Sequence, residues 1–285
     1  MAERSRTRRV KVIRAPSFSA LGMLSQLADL TQHTDLIYTL SMHRIKVRYK
    51  QSALGLSWAV VQPLSLMFIY TAVFSYIAKI PSDGAAYPIF AFAGLMPWIY
   101  FQTALTSATN GLVSHRDLIT KVYFPREILP LTYVIVSLFD FLIASCVMGG
   151  MMLYYRAPLT FNILYVIPIM IIVTLFVIGM SLIFSATQVR FRDVGVAIVL
   201  VLQLWMYATP VVYPYSAIKK FSATLQTFYN LNPLVGVIEN FRRVVLQGKE
   251  PDFHLLGISL VVSILLLPVA YIYFKHIEAT LADVI

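Results

Sequence analysis

Six stretches of this chain are long, apolar and almost free of charge, and they constrain its fold more than any other feature. They are Ser57–Ala78, Pro88–Asn110, Leu129–Leu153, Asn162–Ala186, Val194–Val212 and Leu255–Phe274. Five hold no Asp, Glu, Lys or Arg, and the third holds only Asp140. A helix crossing the hydrocarbon layer takes about 17–25 predominantly apolar residues. No water is available there for the backbone, so each such run must close its hydrogen bonds internally. The pattern predicts an all-α membrane protein with six transmembrane helices and excludes a water-soluble enzyme. Pro63, Pro97, Pro130, Pro168 and Pro268 fall inside these runs, which membrane helices tolerate when neighbours re-satisfy the freed groups. Composition agrees, with 59% hydrophobic and 13% charged residues, against roughly 45–50% and 25% in soluble domains.

Charge supplies an orientation. The net charge of +10 would point a soluble protein toward nucleic acid. Here no basic face interleaved with aromatics exists, and in a membrane chain the same excess marks the cytoplasmic side. Segments 1–56, 111–128, 187–193 and 275–285 hold 16 of the 23 Lys and Arg residues, and 79–87, 154–161 and 213–254 hold 7. Both termini are therefore predicted to be cytoplasmic, with no nucleic-acid partner. A disulfide scaffold is excluded by the single cysteine, Cys146, which reads as inert packing.

Three regions follow. Residues 1–34 are a basic cytoplasmic tail in which Arg4, Arg6, Arg8, Arg9, Lys11 and Arg14 suit anionic lipid. No apolar core or cleavage site of a signal peptide comes after them. Residues 35–56 place Leu36, Leu40 and Val47 on one helical stripe among Arg44, Lys46, Arg48 and Lys50. That predicts an interfacial amphipathic helix with its apolar side down and its basic side out; an ordinary solvated turn is the alternative. Residues 57–285 form the six-span domain. Its outside segment Tyr213–His254 contains Asn232 as an N-cap, Pro233 at the first helical position and Gly248 as the stop. Leu234, Val237, Ile238, Phe241, Val244 and Val245 line one face of that helix, and Glu239, Arg242 and Arg243 the other. At about 21–22 Å it is too short to cross, so it reads as re-entrant or interfacial rather than as a soluble cap.

Several chemistries lack their residues. There is no phosphate-cradling Gly-x-x-x-x-Gly-Lys-[Ser/Thr] loop, no His-Glu-x-x-His, no Cys-x-x-Cys and no Gly-x-Ser-x-Gly. His33, His43, His115, His254 and His276 all lie outside the spans. An ion-coupled pump needs several intramembrane carboxylates or histidines, and only Asp140 offers itself. The expectation is a transport protein that is not an enzyme, binds no cofactor or metal, and draws energy from another chain. A channel or secondary transporter working alone, and a polytopic glycosyltransferase, are the competing classes. The latter needs paired carboxylates at the membrane edge, whereas Asp83, Glu127, Asp193 and Glu239 are scattered.

Particular motifs sharpen this. Arg48–Trp58 with Gln62-Pro63-Leu64, Phe124–Leu131, Arg190-Phe191-Arg192-Asp193, Tyr207–Pro214, Tyr229–Leu234 and Ala282–Ile285 together resemble the polysaccharide-exporting permeases of the type-2 ABC exporter class, in order and from about residue 44 to the end. The O-antigen, capsule and teichoic-acid branches share them. The resemblance implies a homodimer in the bacterial inner membrane, working with two copies of a separate ABC ATP-binding subunit that supplies ATP and Mg. It also implies a lipid-linked polysaccharide substrate, most often O-antigen on a polyprenyl pyrophosphate. The family's ATPase-contacting helix maps to Leu112–Tyr123, and its re-entrant helices map to Ile218–Gln247.

On that resemblance, His115, Arg116, Asp117, Leu118, Ile119, Lys121, Phe124, Arg126 and Glu127 are expected to couple to the ATPase, rather than to be only a solvated loop. Tyr70, Phe74, Trp205, Tyr207 and Tyr213 are expected along the substrate path, where flat aromatic faces meet sugar C–H groups without trapping them; most such aromatics merely sit at the membrane interface. Asp140 is a path candidate too, although an interhelical hydrogen bond that fixes packing is the preferred reading. Asn232, Pro233 and Phe241 are expected to shape the exit.

Overall fold

The computed structural model describes residues 32–50, 54–122 and 124–278. The tail over residues 1–31, the motif residues 51–53, Tyr123 and the C-terminal Ala282–Ile285 lie outside the described residues. Among the described residues every regular element is helical. In chain order the longer helices are α1 (Thr34–Lys50), α2 (Trp58–Tyr70, widening into a π-helical turn over Thr71–Ile77), α3 (Tyr87–Ser114), α4 (Arg116–Lys121) and α5 (Ile128–Tyr154). They continue as α6 (Val166–Arg190), α7 (Val194–Tyr207), α8 (Ala223–Asn230), α9 (Pro233–Gln247) and α10 (Phe253–Glu278).

Among the described residues five helical segments are long and apolar enough to cross a membrane: Gly55–Ile77, Tyr87–Ser114, Ile128–Tyr154, Phe161–Arg190 and Phe253–Glu278. The run Val194–Val212 differs from the expected span. Its helix, α7, ends at Tyr207 and rises only about 21 Å. The cause is Thr209-Pro210: Pro210 has no N–H to donate, and its ring disfavours helical backbone at the residue before it. The chain turns there, with the Val211 amide bonding back to the Thr209 carbonyl at 2.7 Å.

Helix α3 is the hub. It packs against α2, α5, α6, α7 and α9. Its side chains Phe92, Leu95, Phe101, Ala104 and Leu105 are completely buried. A second apolar cluster lies at one end of the bundle, where Leu112, Ile119, Phe124, Ile128, Val189 and Phe274 meet. The α3–α5 connection, the α6 C-terminus and the α10 C-terminus therefore share that end.

Helix α1 departs from its expected orientation. Leu36, Ile37 and Leu40 do pack on the end cluster, but Val47 is exposed. The inward face continues through polar residues instead. Arg44 lies over the Tyr133 ring at 3.6 Å, and Arg48 reaches Asp140. Spacings of three and four residues carry this face along α5, so Arg44 and Arg48 find partners on that helix, whereas Lys46 and Lys50 are exposed.

Helix α9 has the predicted bounds. The Asn232 side chain accepts from the Leu234 amide at 3.2 Å, and Gly248 ends the helix at φ 62°, a left-handed conformation that glycine adopts without penalty. The helix lies among α3, α6 and α10. Asn240, completely buried, ties it to the next helix: its amide donates to the Gly236 carbonyl at 2.8 Å and its oxygen accepts from the Asp252 amide at 2.5 Å. Asp252 in turn accepts from the His254 and Leu255 amides at 3.1 Å and starts α10.

Candidate functional site

At the end of the bundle that carries α4, the expected coupling residues divide into two sets. Arg116, Asp117 and Lys121 are exposed, as is Val122. Ile119, Phe124 and Glu127 are buried, and His115, Leu118 and Arg126 are half-buried. Ile119 thus fills this chain's own cluster, and the outward face of α4 is mostly charged. His115 bonds through Nδ1 to the Gly111 carbonyl at 2.9 Å. Burial holds its imidazole below the ordinary value, and the nearby Arg44 charge adds to that.

Glu127 belongs to an internal ion cluster. Lys275 of α10 donates to it at 2.9 Å and to Glu278 at 2.8 Å, and the Tyr271 hydroxyl donates to it at 3.4 Å. Arg126 reaches the Glu278 carbonyl at 3.1 Å. Burial raises the Glu127 carboxyl above its ordinary value, and the Lys275 charge opposes the rise. A buried ion pair contributes little net stability but is costly to break, so this cluster fastens the start of α5 to the last turn of α10.

Of the expected path residues, Tyr70 donates to the Met206 sulfur at 3.4 Å and joins α2 to α7. Phe74 stands 5.8 Å from the Tyr70 ring. Trp205 packs edge-on against Phe101 at 5.2 Å and Phe176 at 6.1 Å. Tyr207 is exposed, and its carbonyl accepts from the Tyr213 hydroxyl at 2.9 Å. Tyr213 also meets the Tyr229 hydroxyl at 2.9 Å. Asp140 accepts from Arg48 at 2.6 Å and from the Tyr49 hydroxyl. It therefore makes interhelical bonds from α5 to α1. It stands beside Trp58, Ala59 and Gln62 in the first turns of α2, not level with that helix's middle.

The exit residues are structural in their contacts. The Asn232 amide donates to Thr209 Oγ1 at 2.9 Å, Pro233 is buried, and Phe241 packs edge-on against Phe141 at 6.1 Å. Arg242 departs from its expected face: it is only 2% exposed, whereas Glu239 and Arg243 are half-buried. Its guanidinium donates to the carbonyls of Phe90 at 3.2 Å, Pro210 at 2.5 Å, Tyr213 at 3.2 Å and Val211, and it covers the Phe90 ring at 3.7 Å. The carbonyls of Pro210, Val211 and Tyr213 follow the end of α7 and belong to no helical ladder, so buried there they need donors. Gly94 makes room for this clamp, because a Cβ there would stand 2.2 Å from the Arg242 side chain and 2.4 Å from the Val211 carbonyl. The periodicity did hold a sign of it: Arg242 follows Ile238 by four residues and precedes Val245 by three, on the edge of the apolar stripe.

Long apolar helices gathered around short, internally clamped ones define a multi-span helical membrane protein. Among the described residues no three His, Cys, Asp or Glu side chains converge as metal ligands would. Comparison then places the chain more narrowly. Residues 35–246 match the ABC-2 type transporter model, and the chain belongs to that family. It is 31% identical over 264 residues to the O-antigen export system permease protein RfbA of Myxococcus xanthus, a match spanning 92% of this chain and 99% of that one. Identity is 27% over 252 residues with the RfbA permease of the same description from Klebsiella pneumoniae, spanning 88% and 95%. With the polysialic acid transport protein KpsM of Escherichia coli it is 24% over 229 residues, spanning 79% and 84%. The family read from the motifs is thereby established.

Proposed function

We propose that this chain is the permease of an ATP-driven exporter that moves a lipid-linked polysaccharide, most closely of the O-antigen kind, from the cytoplasm across a bacterial inner membrane. The observation that carries the reading is the near end-to-end similarity to an O-antigen permease, which exceeds in identity and coverage the similarity to the polysialic acid transporter. In this reading α7 and the following turn complete a sixth, short crossing. Helices α8 and α9 are re-entrant on the outer side, which the shortness of α9 and its packing among α3, α6 and α10 support. Both termini and α4 then lie in the cytoplasm. Two copies assemble through the apolar faces that one chain leaves open on α2 and α7, including Phe68, Tyr76, Val196 and Leu204. Tyr70, Phe74, Trp205, Tyr207 and Tyr213 stand along the glycan path, and Asn232, Pro233 and Phe241 fix the exit.

Two copies of a separate ATPase bring ATP and Mg, and α4 meets them through Arg116, Asp117, Lys121 and Val122. Because Ile119 and Phe124 are spent on internal packing, the contact is led by charge and flanked by few apolar anchors. The decisive experiment is copurification with an ATP-binding subunit whose hydrolysis depends on this chain; a chain that transports alone would refute the reading. Replacing Asp117 and Lys121 with Ala should leave the helices inserted and lower ATPase binding or export about tenfold or more, the effect of losing an interface hot spot. Unchanged binding and export would remove α4 from the coupling. For the topology, a cysteine at residue 5 in a Cys146→Ala background should resist an impermeant thiol reagent in intact cells, and its labelling would reverse the orientation.

A further inference from the structure

A cleft of about 240 Å³ opens between the end of α1, the first turns of α2 and the middles of α3 and α5. Water's share of liquid volume is about 30 Å³, so the cleft has room for a chemical group and not merely one solvent molecule. Its floor is the Arg48–Asp140 pair. Each partner keeps capacity to spare. A carboxylate offers about four acceptor positions and a guanidinium five donors. Asp140 accepts from Arg48 and Tyr49, and Arg48 spends one nitrogen on Asp140 with its side chain 40% exposed. The walls are Trp58, Gln62 and Thr103 with apolar Met96 and Ile99. Trp58 is 49% exposed and stands in the opening turn of α2, where tryptophan marks the boundary between headgroups and hydrocarbon.

We propose that this cleft binds the headgroup of a zwitterionic phospholipid with a primary ammonium, phosphatidylethanolamine, one per chain. The ammonium N–H groups would donate to Asp140 while the phosphate accepts from Arg48, and Trp58 and Met96 would cover the glycerol and the first methylenes. The two fixed charges of the cleft are equal and opposite, and a zwitterion answers both. A diphosphate headgroup would bring more than one negative charge against Asp140. A choline headgroup carries no N–H to donate. The inference needs α2 to enter a membrane but makes no use of the glycan path, so lipid binding can fail with export intact, and export can fail with lipid bound.

The test is native mass spectrometry on the delipidated full-length chain, titrated separately with phosphatidylethanolamine, phosphatidylcholine and phosphatidylglycerol. One phosphatidylethanolamine should be retained per chain, about tenfold more tightly than either of the others, the factor expected for hydrogen bonds to a charged group. Asp140→Asn should erase that preference. Should it also impair folding, Ala59→Phe fills the cleft without touching the ion pair and should abolish the retained lipid. Equal retention of the three lipids, or full phosphatidylethanolamine retention by Ala59→Phe, overturns the proposal. So does preferential capture of phosphatidylglycerol, which would make the cleft an anion site, or a lipid-free dimer that Ala59→Phe dissociates, which would make it a contact between copies.

Discussion

Replacing Arg242 with Met should remove the assembled protein from the membrane and not merely slow it. The guanidinium serves the carbonyls of Phe90, Pro210, Val211 and Tyr213, so it joins three segments far apart in sequence: the start of α3, the turn after α7, and α9. Methionine fills much of the volume but donates nothing. The Phe90 carbonyl keeps its place in the α3 ladder, but each of the Pro210, Val211 and Tyr213 carbonyls left buried without a donor costs about 1–3 kcal/mol, and total stabilities are only about 5–15 kcal/mol. Several such losses in one place are enough to free α9 from its site. Arg242→Lys retains the charge but not the planar fork, so it can serve at most part of the set and should fall between the two. The measurement is the yield of monodisperse, protease-resistant protein from membranes, with export assayed alongside. Normal yield together with normal export for Arg242→Met would show that the clamp is dispensable.

Arg242 also marks where reading the sequence stops being sufficient. Apolar runs decide that helices form and roughly where, since backbone groups in hydrocarbon have no other solution. Local end signals did the same for α9, because Asn232, Pro233 and Gly248 act through bonds within a few residues. What a single run cannot reveal is which neighbour a polar side chain will find. The apolar pattern places Arg242 on the polar face with Glu239 and Arg243, yet its partners lie 29 to 152 positions away. Glu127 likewise sits in a charged loop by sequence, and only the return of α10 to that end of the bundle brings Lys275 to it. The inward turn of Arg44 and Arg48 has the same origin, since Tyr133 and Asp140 belong to another helix. The family motifs identified the chain, whereas the division of the coupling residues into buried Ile119 and exposed Lys121 follows from packing that no motif states.

Gly236→Val should have the next largest effect, and it tests the proposed role of α9 from another face of the helix. At this glycine α9 crosses α10 so closely that a Cβ would lie 2.1 Å from Ser259 Oγ and 2.7 Å from the Leu255 carbonyl oxygen. The second contact is backbone, so no rotamer change relieves it, and the two helices must separate. Small residues at such crossings are what allow membrane helices to approach closely. Overpacking of this kind costs typically about 1–3 kcal/mol, and here it is compounded because the displacement pulls on the Asn240–Asp252 bonds one turn further along. It also shifts Arg242 relative to its carbonyls, so the two predictions are coupled: Gly236→Val and Arg242→Met combined should cost less than the sum of the separate effects. Gly149 is the control. It lies in α5 with nothing within 4 Å of an added Cβ, and Gly149→Val should leave the thermal midpoint of the detergent-purified protein close to that of the parent. Gly236→Val should lower it by several degrees and reduce export more than yield if α9 shapes the exit. Equal behaviour of the two valine variants would mean that α9 and α10 tolerate separation, and that the position of α9 is not what sets the opening.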